Sequence, residues 1–257
     1  MNVTLTPGLD VALLVFYAFV LFFIGLVFYL RREDRREGYP LEDEMTGRVD
    51  SWGGPLYSPM AKTFRLPFGH GAVTTPTGGR DPFDLPARRT DRFAGAPIAP
   101  TGNPLIDGIG PAGYANRAKR PDVDWEGHAR IVPMSTTGGG FWVAKGDPEL
   151  GGWPVYGADG VRAGHVADLW IDRADRLIRY IEVTLDGGGK ALAPMTMSDI
   201  QKGKRRIVVD AINAADFAAS PVPEAPGTIT LYEEERIIAY FGGGYLYAKP
   251  SRQEPFL

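Results

Sequence analysis

Cysteine is absent from this sequence of 257 residues. The chain therefore cannot form disulfide bonds, thiolate zinc sites, iron–sulfur clusters or c-type haem attachments. A strong net charge is absent as well, because 28 basic residues face 31 acidic ones, and a balance of −3 gives no electrostatic basis for binding nucleic acid. The motifs of a serine nucleophile elbow, a zinc peptidase and a phosphate-binding P-loop are also missing. The sequence thus predicts a protein that is not an enzyme.

Charged residues are missing from residues 11–30, an apolar run of 20 residues. A helix of this length covers about 30 Å, which is the thickness of the hydrocarbon core of a bilayer. The run contains no histidine, so it offers no axial imidazole to a haem or a metal-centred pigment. We expect a single transmembrane helix here, preceded by a short periplasmic N-terminus at residues 1–10.

Basic residues begin abruptly where this run ends. No lysine or arginine occurs among the first 30 residues, whereas Arg31, Arg32, Arg35 and Arg36 follow directly. The positive-inside rule places the N-terminus outside and the bulk of the chain in the cytoplasm. Tyr29 is expected at the membrane interface, with the four arginine side chains reaching lipid phosphates. A cleaved signal peptide is the alternative, but its basic start and small-x-small cleavage site are missing.

The segment that follows is rich in residues that disfavour a compact core. Residues 40–113 contain 11 prolines and 12 glycines, a composition typical of irregular structure. Apolar side chains are nevertheless scattered through the segment, whereas a free tether would be more polar. We expect residues 31–115 to be extended and to be ordered by lying on another protein; a flexible tether remains the alternative.

From about residue 153 the pattern becomes that of β-structure. Short apolar runs alternate with glycine-containing turns, as in a small antiparallel barrel. The candidate strands are 155–156, 164–172, Leu177–Leu185, 191–193 and 206–209. The expected fold class is therefore mixed: one N-terminal transmembrane helix, an extended Pro/Gly-rich segment, and a mainly-β cytoplasmic domain at residues 116–250 with short C-terminal helices.

Two helices are expected near the C-terminus. Residues 211–219 suit a short one. Thr230 and Glu233 have the spacing of a capping box, which would begin a second helix at Leu231 and continue it to Phe241, with Gly242 as its stop. The acidic residues 233–235 are interpreted as a solvated first turn. Residues 251–257 would form a tail.

Several stretches together resemble one family, the H subunit of the purple bacterial photosynthetic reaction centre. The most specific is LRREDRREGYPL at residues 30–41, directly after the apolar run. The others are residues 62–67, 100–104, 108–112, 131–134 and 240–244. Residues 164–172 resemble the PRC-barrel, a domain that also occurs in ribosome-maturation proteins. The resemblance extends over residues 9–250.

This resemblance implies a role, a location and a set of partners. Such subunits cap the cytoplasmic face of the L and M subunits, shield the quinone sites and supply part of the proton path to the secondary quinone. The complex is expected to hold bacteriochlorophyll, bacteriopheophytin, quinones and non-haem iron on partner subunits, and none on this chain. An antenna ring, a cytochrome subunit and membrane lipids are further candidate partners. The location would be the inner, intracytoplasmic photosynthetic membrane.

A first candidate site combines carboxylates with an imidazole. Asp122, Asp124, Glu126 and His128 occupy alternate positions, which would share one face of an extended chain. Acids and imidazoles gather and exchange protons near neutral pH. The resemblance implies that this stretch is the surface proton entrance, with Glu126 replacing a histidine that is usual in the family. That replacement weakens the expectation that a transition metal binds here. A merely solvated loop is the alternative.

A second candidate site lies at the predicted turn between two strands. The resemblance implies that Asp172 and Asp175 are acids of the inner proton path and that Arg179 is the neighbouring arginine. Burial would raise the pKa of the acids, whereas Arg179 would lower it. An ordinary Asp–Arg pair that closes a hairpin is the alternative.

Two other functions remain open from the residues alone. The chain could be a single-span PRC-barrel adaptor that recruits a soluble partner, such as an RNA-processing factor, to the membrane. It could also be a membrane-tethered hydrolase in which Asp124, Glu126 and His128 bind a metal.

Overall fold

The computed structural model describes residues 10–39, 41, 59–76, 85–93 and 95–253. The predictions for residues 1–9, for residues 40, 42–58, 77–84 and 94 of the extended segment, and for the end of the tail at 254–257 lie outside the described residues. The chain divides into two compact units, Met1–Asp84 and Leu85–Leu257. The division thus falls inside the segment 31–115 that the sequence analysis treats as one stretch. Each unit is described by itself.

The first unit contains the apolar helix α1, Val11–Glu33. The side chain of Asp10 accepts a hydrogen bond from the backbone N–H of Ala12 and so caps the N-terminus. Arg31 and Arg32 occupy the last turn, where positive charge complements the helix dipole. Mean hydropathy reaches 2.9, and α1 is the one helix among the described residues that is long and apolar enough to cross a membrane. It buries none of its residues, as expected of a helix made for a non-aqueous environment.

A short hairpin completes the described part of the first unit. Strands β1 (Lys62–Arg65) and β2 (Ala72–Thr75) pair antiparallel. The Arg36 guanidinium donates to the carbonyls of Met60 and Thr75, at the open end of this hairpin, over 2.9 and 2.8 Å. These bonds connect the hairpin to the end of α1.

The second unit begins with irregular chain that packs onto its own core. Strands β3 (Ala87–Arg89) and β4 (Ile98–Pro100) form a small hairpin, and helix α2 (Pro104–Asp107) follows. Leu105, Ile109 and Ala112 are buried. The Pro/Gly-rich chain is therefore ordered in this part by its own domain, and the prediction that its apolar side chains lie on another protein is wrong for Leu105.

The main sheet has seven strands. Their bounds are β5 Ile131–Pro133, β6 Pro154–Tyr156, β7 Arg162–Asp172, β8 Leu177–Leu185, β9 Lys190–Pro194, β10 Asp199–Gln201 and β11 Arg206–Val208. The order is β10-β11-β6-β7-β8-β9, with β5 paired to β7. The mainly-β fold is confirmed, but the sheet is not closed into a barrel, and β11 pairs parallel to β6. The purely antiparallel arrangement expected from the strand spacing is therefore wrong at this pair.

Strands β7 and β8 form the centre of the sheet. They are joined by a tight turn at residues 173–176, so that Asp172 lies opposite Leu177. Tyr180, Ile181 and Val183 of β8 are almost inaccessible to solvent. This long hairpin therefore fixes the turn, with Asp172 and Asp175, rigidly on the core.

Helix α3, Leu231–Tyr247, covers the core. The predicted capping box is present: Thr230 Oγ1 accepts from the Glu233 N–H, and the Glu233 carboxylate accepts from the Thr230 N–H. The predicted stop at Gly242 is wrong, because the helix continues through this glycine. Gly243 and Gly244 lie so close to Ala112 and Ile212 that the helix needs glycine there for packing. The predicted short helix is a 3₁₀ helix at Ala214–Ala219.

Candidate functional site

A tight hairpin at residues 122–130, here called the acidic hairpin, carries the first candidate site. The Asp124 N–H donates to the His128 carbonyl over 2.8 Å, and the Arg130 N–H donates to the Asp122 carbonyl over 2.9 Å. The hairpin is anchored to the start of α3, because Pro121 pairs with Thr230. Its tip is exposed to solvent at Trp125, Glu126 and His128, whereas its base lies against the start of α3.

The tip of the acidic hairpin brings three predicted residues together. Ligand atoms of Asp124, Glu126 and His128 all lie within 4.8 Å of one another. The Asp124 carboxylate accepts from the backbone N–H groups of Glu126 and His128, and the bond from His128 is the main reason that its pKa is lowered. His128 Nδ1 lies 3.5 Å from Glu126 Oε2 and 3.7 Å from Asp124 Oδ2. Two carboxylates and an exposed imidazole can exchange protons with water, and could also coordinate a divalent cation.

The predicted reason for this proximity is wrong. The residues meet because the chain turns back on itself at residues 125–126, and not because an extended chain places alternate side chains on one face. Asp122, the fourth predicted residue, does not join the tip. Its carboxylate lies at the base of the hairpin, 3.3 Å from Arg130 Nη1.

Arg130 connects the acidic hairpin to the second candidate site. Its Nη2 lies 2.8 Å from Asp172 Oδ2 and 2.8 Å from Asp175 Oδ2, while Nη1 contacts Asp122. One guanidinium thus bridges three carboxylates from two elements. The hydrogen bond to Asp172 is the main reason that the pKa of Arg130 is raised above its ordinary value. The guanidinium therefore keeps its proton and acts as a fixed positive charge.

Asp172 is the most enclosed of the three acids, with only 3% of its side chain exposed. Besides Arg130, its Oδ1 accepts from the backbone N–H groups of Ala174 and Asp175 in the β7–β8 turn. Asp175 is 56% exposed by contrast. The prediction that both acids lie together at this turn is correct, but they differ in their access to water.

A cleft of about 320 Å³ opens beside these groups. Its polar lining consists of five carboxyl groups and three guanidiniums, so anionic groups outnumber cationic ones. The residues are Arg117, Asp122, Arg130, Asp172, Asp175, Arg179, Glu234 and Glu235. Such a lining can hold water molecules and exchangeable protons.

Glu234 contributes a buried carboxyl group to this cleft. Its Oε2 accepts from the Tyr180 hydroxyl over 3.2 Å and lies 3.6 Å from Arg179 Nη2. Burial raises the pKa of Glu234, although Arg179 and Tyr180 oppose this shift. The interpretation of residues 233–235 as a solvated helix start is therefore wrong for Glu233 and Glu234, which are both 9% exposed.

The ion pairs differ from those expected. Arg179 lines the same cleft as Asp172 and Asp175, but the ion pair that it makes is with Glu234. Arg130 takes the role that the sequence analysis gave to Arg179. The sequence carried one signal for Glu234: it precedes Ile237 and Phe241 by three and seven residues, the spacing of a buried helix face. No local pattern pointed to Arg130, because Asp172 and Asp175 lie 42 and 45 residues further along the chain.

The residues predicted at the membrane interface have different surroundings in the structure. Tyr29, Arg31 and Arg32 lie in the last turns of α1, and their contact with lipid stays a prediction. Arg35 stacks over the ring of Tyr39 at 5.7 Å. Arg36 is wrongly predicted as a lipid ligand, because its side chain is 10% exposed and its donors are taken by Glu33 and by the β1–β2 hairpin.

Two family models match the sequence. Residues 3–136 match the model described as photosynthetic reaction centre, H-chain N-terminal region, and residues 144–215 match the PRC-barrel domain. The first match contains α1, the β1–β2 hairpin and the acidic hairpin, and it covers more than half of the chain. The second contains β6 to β11. The chain belongs to the family of photosynthetic reaction centre H chains.

Proposed function

We propose that this chain covers the cytoplasmic face of the L and M subunits of a reaction centre and conducts protons towards the secondary quinone. As an H chain it has the role of a subunit that associates with other reaction-centre subunits. The proposal adds the N-outside orientation of α1, the stabilisation of the quinone sites and the proton path. One observation carries it: the acidic hairpin has an exposed cluster of two carboxylates and an imidazole at its tip and a carboxyl-lined cleft at its base.

The first step is proton capture at the tip. The imidazole of His128 is 57% exposed, and two carboxylates beside it attract cations. The cluster is therefore open to protons that arrive from bulk water. The base of the hairpin begins only two residues away, a span of about 7 Å along an extended chain.

The second step is passage through the cleft. Asp122 and Asp175 are partly exposed, whereas Asp172 is enclosed, so the acids form a series from water to interior. The positive charge of Arg130 offsets part of the repulsion among these carboxylates. Reduction of a quinone to a quinol consumes two protons for two electrons, and a site shielded from water requires such a relay of groups.

Substitution of both Asp172 and Asp175 tests the proposed proton conduction. In the assembled complex, replacing Asp172 and Asp175 by Asn should slow the proton-coupled transfer of the second electron to the secondary quinone. Charge separation and transfer of the first electron, which need no protons from this path, should stay unchanged. Asp186→Asn is the matched control, because this exposed acid pairs with Arg162 at the other end of the β7–β8 hairpin. Unchanged second-electron kinetics in the double variant would remove these acids from the path.

The adaptor alternative receives less support. It requires only a span and a PRC-barrel, whereas the H-chain match covers residues 3–136, outside the barrel domain. A pull-down that yields soluble partners and no pigment-binding subunits from photosynthetic cells would favour the adaptor.

A further inference from the structure

The β1–β2 hairpin has no role in the proposed proton path, yet it is fixed firmly to the end of α1. Arg36 donates to the carbonyls of Met60 and Thr75 and to the Glu33 carboxylate, and only 10% of its side chain is exposed. Charge-assisted bonds to three acceptors hold a side chain more rigidly than one surface ion pair does. The hairpin therefore has a defined position relative to the apolar helix.

The contacts of Lys62, the first residue of β1, show where the hairpin lies along the axis of α1. Its Nζ is 3.1 Å from Glu33 Oε2 and 6.0 Å from the centre of the Tyr29 ring. Tyr29 precedes Glu33 by about one helical turn, or about 6 Å along the axis, towards the apolar part of α1. The Lys62 side chain thus points back along α1, to the level at which aromatic rings meet lipid headgroups.

The two faces of the hairpin differ in polarity. Successive strand residues point to opposite faces, so Phe64 shares the face of Lys62, and its cross-strand partner Val73 lies beside it. The other face carries the Thr63 and Thr74 hydroxyl groups, which hydrogen-bond to each other over 2.8 Å. Because Lys62 reaches back to Tyr29, the face with Phe64 and Val73 is the one that turns towards the level of the membrane.

We propose that this face of the β1–β2 hairpin lies on the phospholipid surface beside α1. Phe64 is 46% exposed and Val73 is 45% exposed, on a hairpin that Arg36 and Lys62 join to the end of the apolar helix. Apolar and aromatic side chains flanked by a lysine are the composition of segments that rest at the headgroup boundary. Continuity with the span favours lipid over a protein partner as the occupant.

Because the chain contains no cysteine, a single introduced cysteine can carry a label that reports how deeply the hairpin lies in the lipid surface. Single variants Val73→Cys and Thr74→Cys occupy adjacent positions on opposite faces, and each can carry a nitroxide label. In the full-length chain, reconstituted into vesicles of phosphatidylcholine and phosphatidylglycerol, the label's collisions with oxygen and with a polar nickel chelate are compared. We expect the oxygen-to-nickel ratio at residue 73 to exceed that at residue 74 by roughly fivefold, because polar solutes are excluded from the apolar boundary.

Further variants exclude local artefacts. Phe64→Cys and Arg65→Cys form a second pair on the two faces, and they leave the threonine pair intact. Leu21→Cys in α1 should give the highest ratio, and Trp125→Cys in the acidic hairpin the lowest. Equal access of the nickel chelate to both faces would overturn the proposal. Access of the nickel chelate to residue 21 would overturn the prediction that α1 spans the membrane, on which the proposal depends. Loss of both oxygen and nickel access at residue 73 in the purified complex would show that a protein subunit covers this face, and would also overturn it.

Discussion

Arg130 is the residue on which the candidate site depends most. Its guanidinium is the group that joins the acidic hairpin to the β7–β8 turn, through Asp122 on one side and Asp172 and Asp175 on the other. A planar fork with several donors can bind three carboxylates at once, which the single ammonium of a lysine cannot do with the same geometry. One arginine therefore brings the three carboxylates together, on acids that the β7–β8 turn and the acidic hairpin position.

Replacement of Arg130 by Met should destabilise the domain. Asp172 would keep its two backbone donors but lose a charged partner while staying enclosed, and we expect the free energy of unfolding to fall by about 2 kcal/mol, within the range for charged hydrogen bonds. Urea denaturation of the full-length protein in detergent measures this change. Arg88→Met, at an exposed position of β3, is the control and should change stability little. A loss no larger than the control's would show that Arg130 does not hold the site together.

Glu234 should make stability depend on pH. Burial raises its pKa in the folded state above the ordinary value of 4.5, so the folded protein holds this proton more tightly than the unfolded chain. The sign follows: Glu234 costs no stability below pH 4.5, and it lowers stability as the pH rises from there through the folded-state pKa. The variant Glu234→Gln should therefore gain stability relative to the wild type as the pH rises through this window.

Denaturation curves at a series of pH values measure that difference. Glu235→Gln is the matched control, because Glu235 is the next residue of α3 and pairs with Arg117 at a more exposed position. A difference between Glu234→Gln and wild type that stays constant with pH would show that Glu234 titrates as an ordinary carboxylate.

At the scale of elements, α3 shows how packing overrides a local signal. Gly242 predicts a helix stop from sequence alone, because glycine readily adopts left-handed backbone conformations. The helix continues because its glycines let it approach the chain around Ala112 and Ala211. Only the fold reveals that these residues serve close contact.

Two alanine variants of this run should have opposite effects. A Cβ at Gly244 would lie 2.4 Å from the Ala211 carbonyl oxygen, so Gly244→Ala should lower the free energy of unfolding by about 2 kcal/mol despite better helix propensity. A Cβ at Gly242 meets nothing closer than 3.8 Å, so Gly242→Ala should raise it by up to about 1 kcal/mol. Thermal unfolding of both variants checks the signs. A stabilising Gly244→Ala would contradict the close packing of α3.

At the scale of the whole molecule, local patterns predicted the elements better than their connections. The apolar run, the strand Leu177–Leu185 and the capping box at Thr230 were all readable, because each depends on neighbouring residues. The parallel pairing of β11 with β6, the Arg130 bridge and the burial of Glu234 were not, because they depend on residues far apart in sequence. The family could be predicted because whole stretches of the sequence resemble it.

The two compact units are expected to have different roles: the second folds on its own, and α1 of the first contributes to docking. A chain lacking residues 1–35 should remain soluble and retain the sheet, since the second unit has its own core. It should bind the other reaction-centre subunits much more weakly than the full chain, because α1 is removed. Sedimentation of the mixture in mild detergent measures this binding. Full assembly of the truncated chain would show that α1 contributes nothing to docking.

Proton uptake by the complete complex tests the central claim most directly. A pH indicator can follow uptake after the second of two flashes in complexes with the wild-type chain, without the chain, and rebuilt with the variant that carries both Asp172→Asn and Asp175→Asn. We predict that removal of the chain slows uptake by about tenfold or more, as loss of a proton relay does, and that the wild-type chain restores it while the variant does not. Uptake at an unchanged rate without the chain would contradict the account.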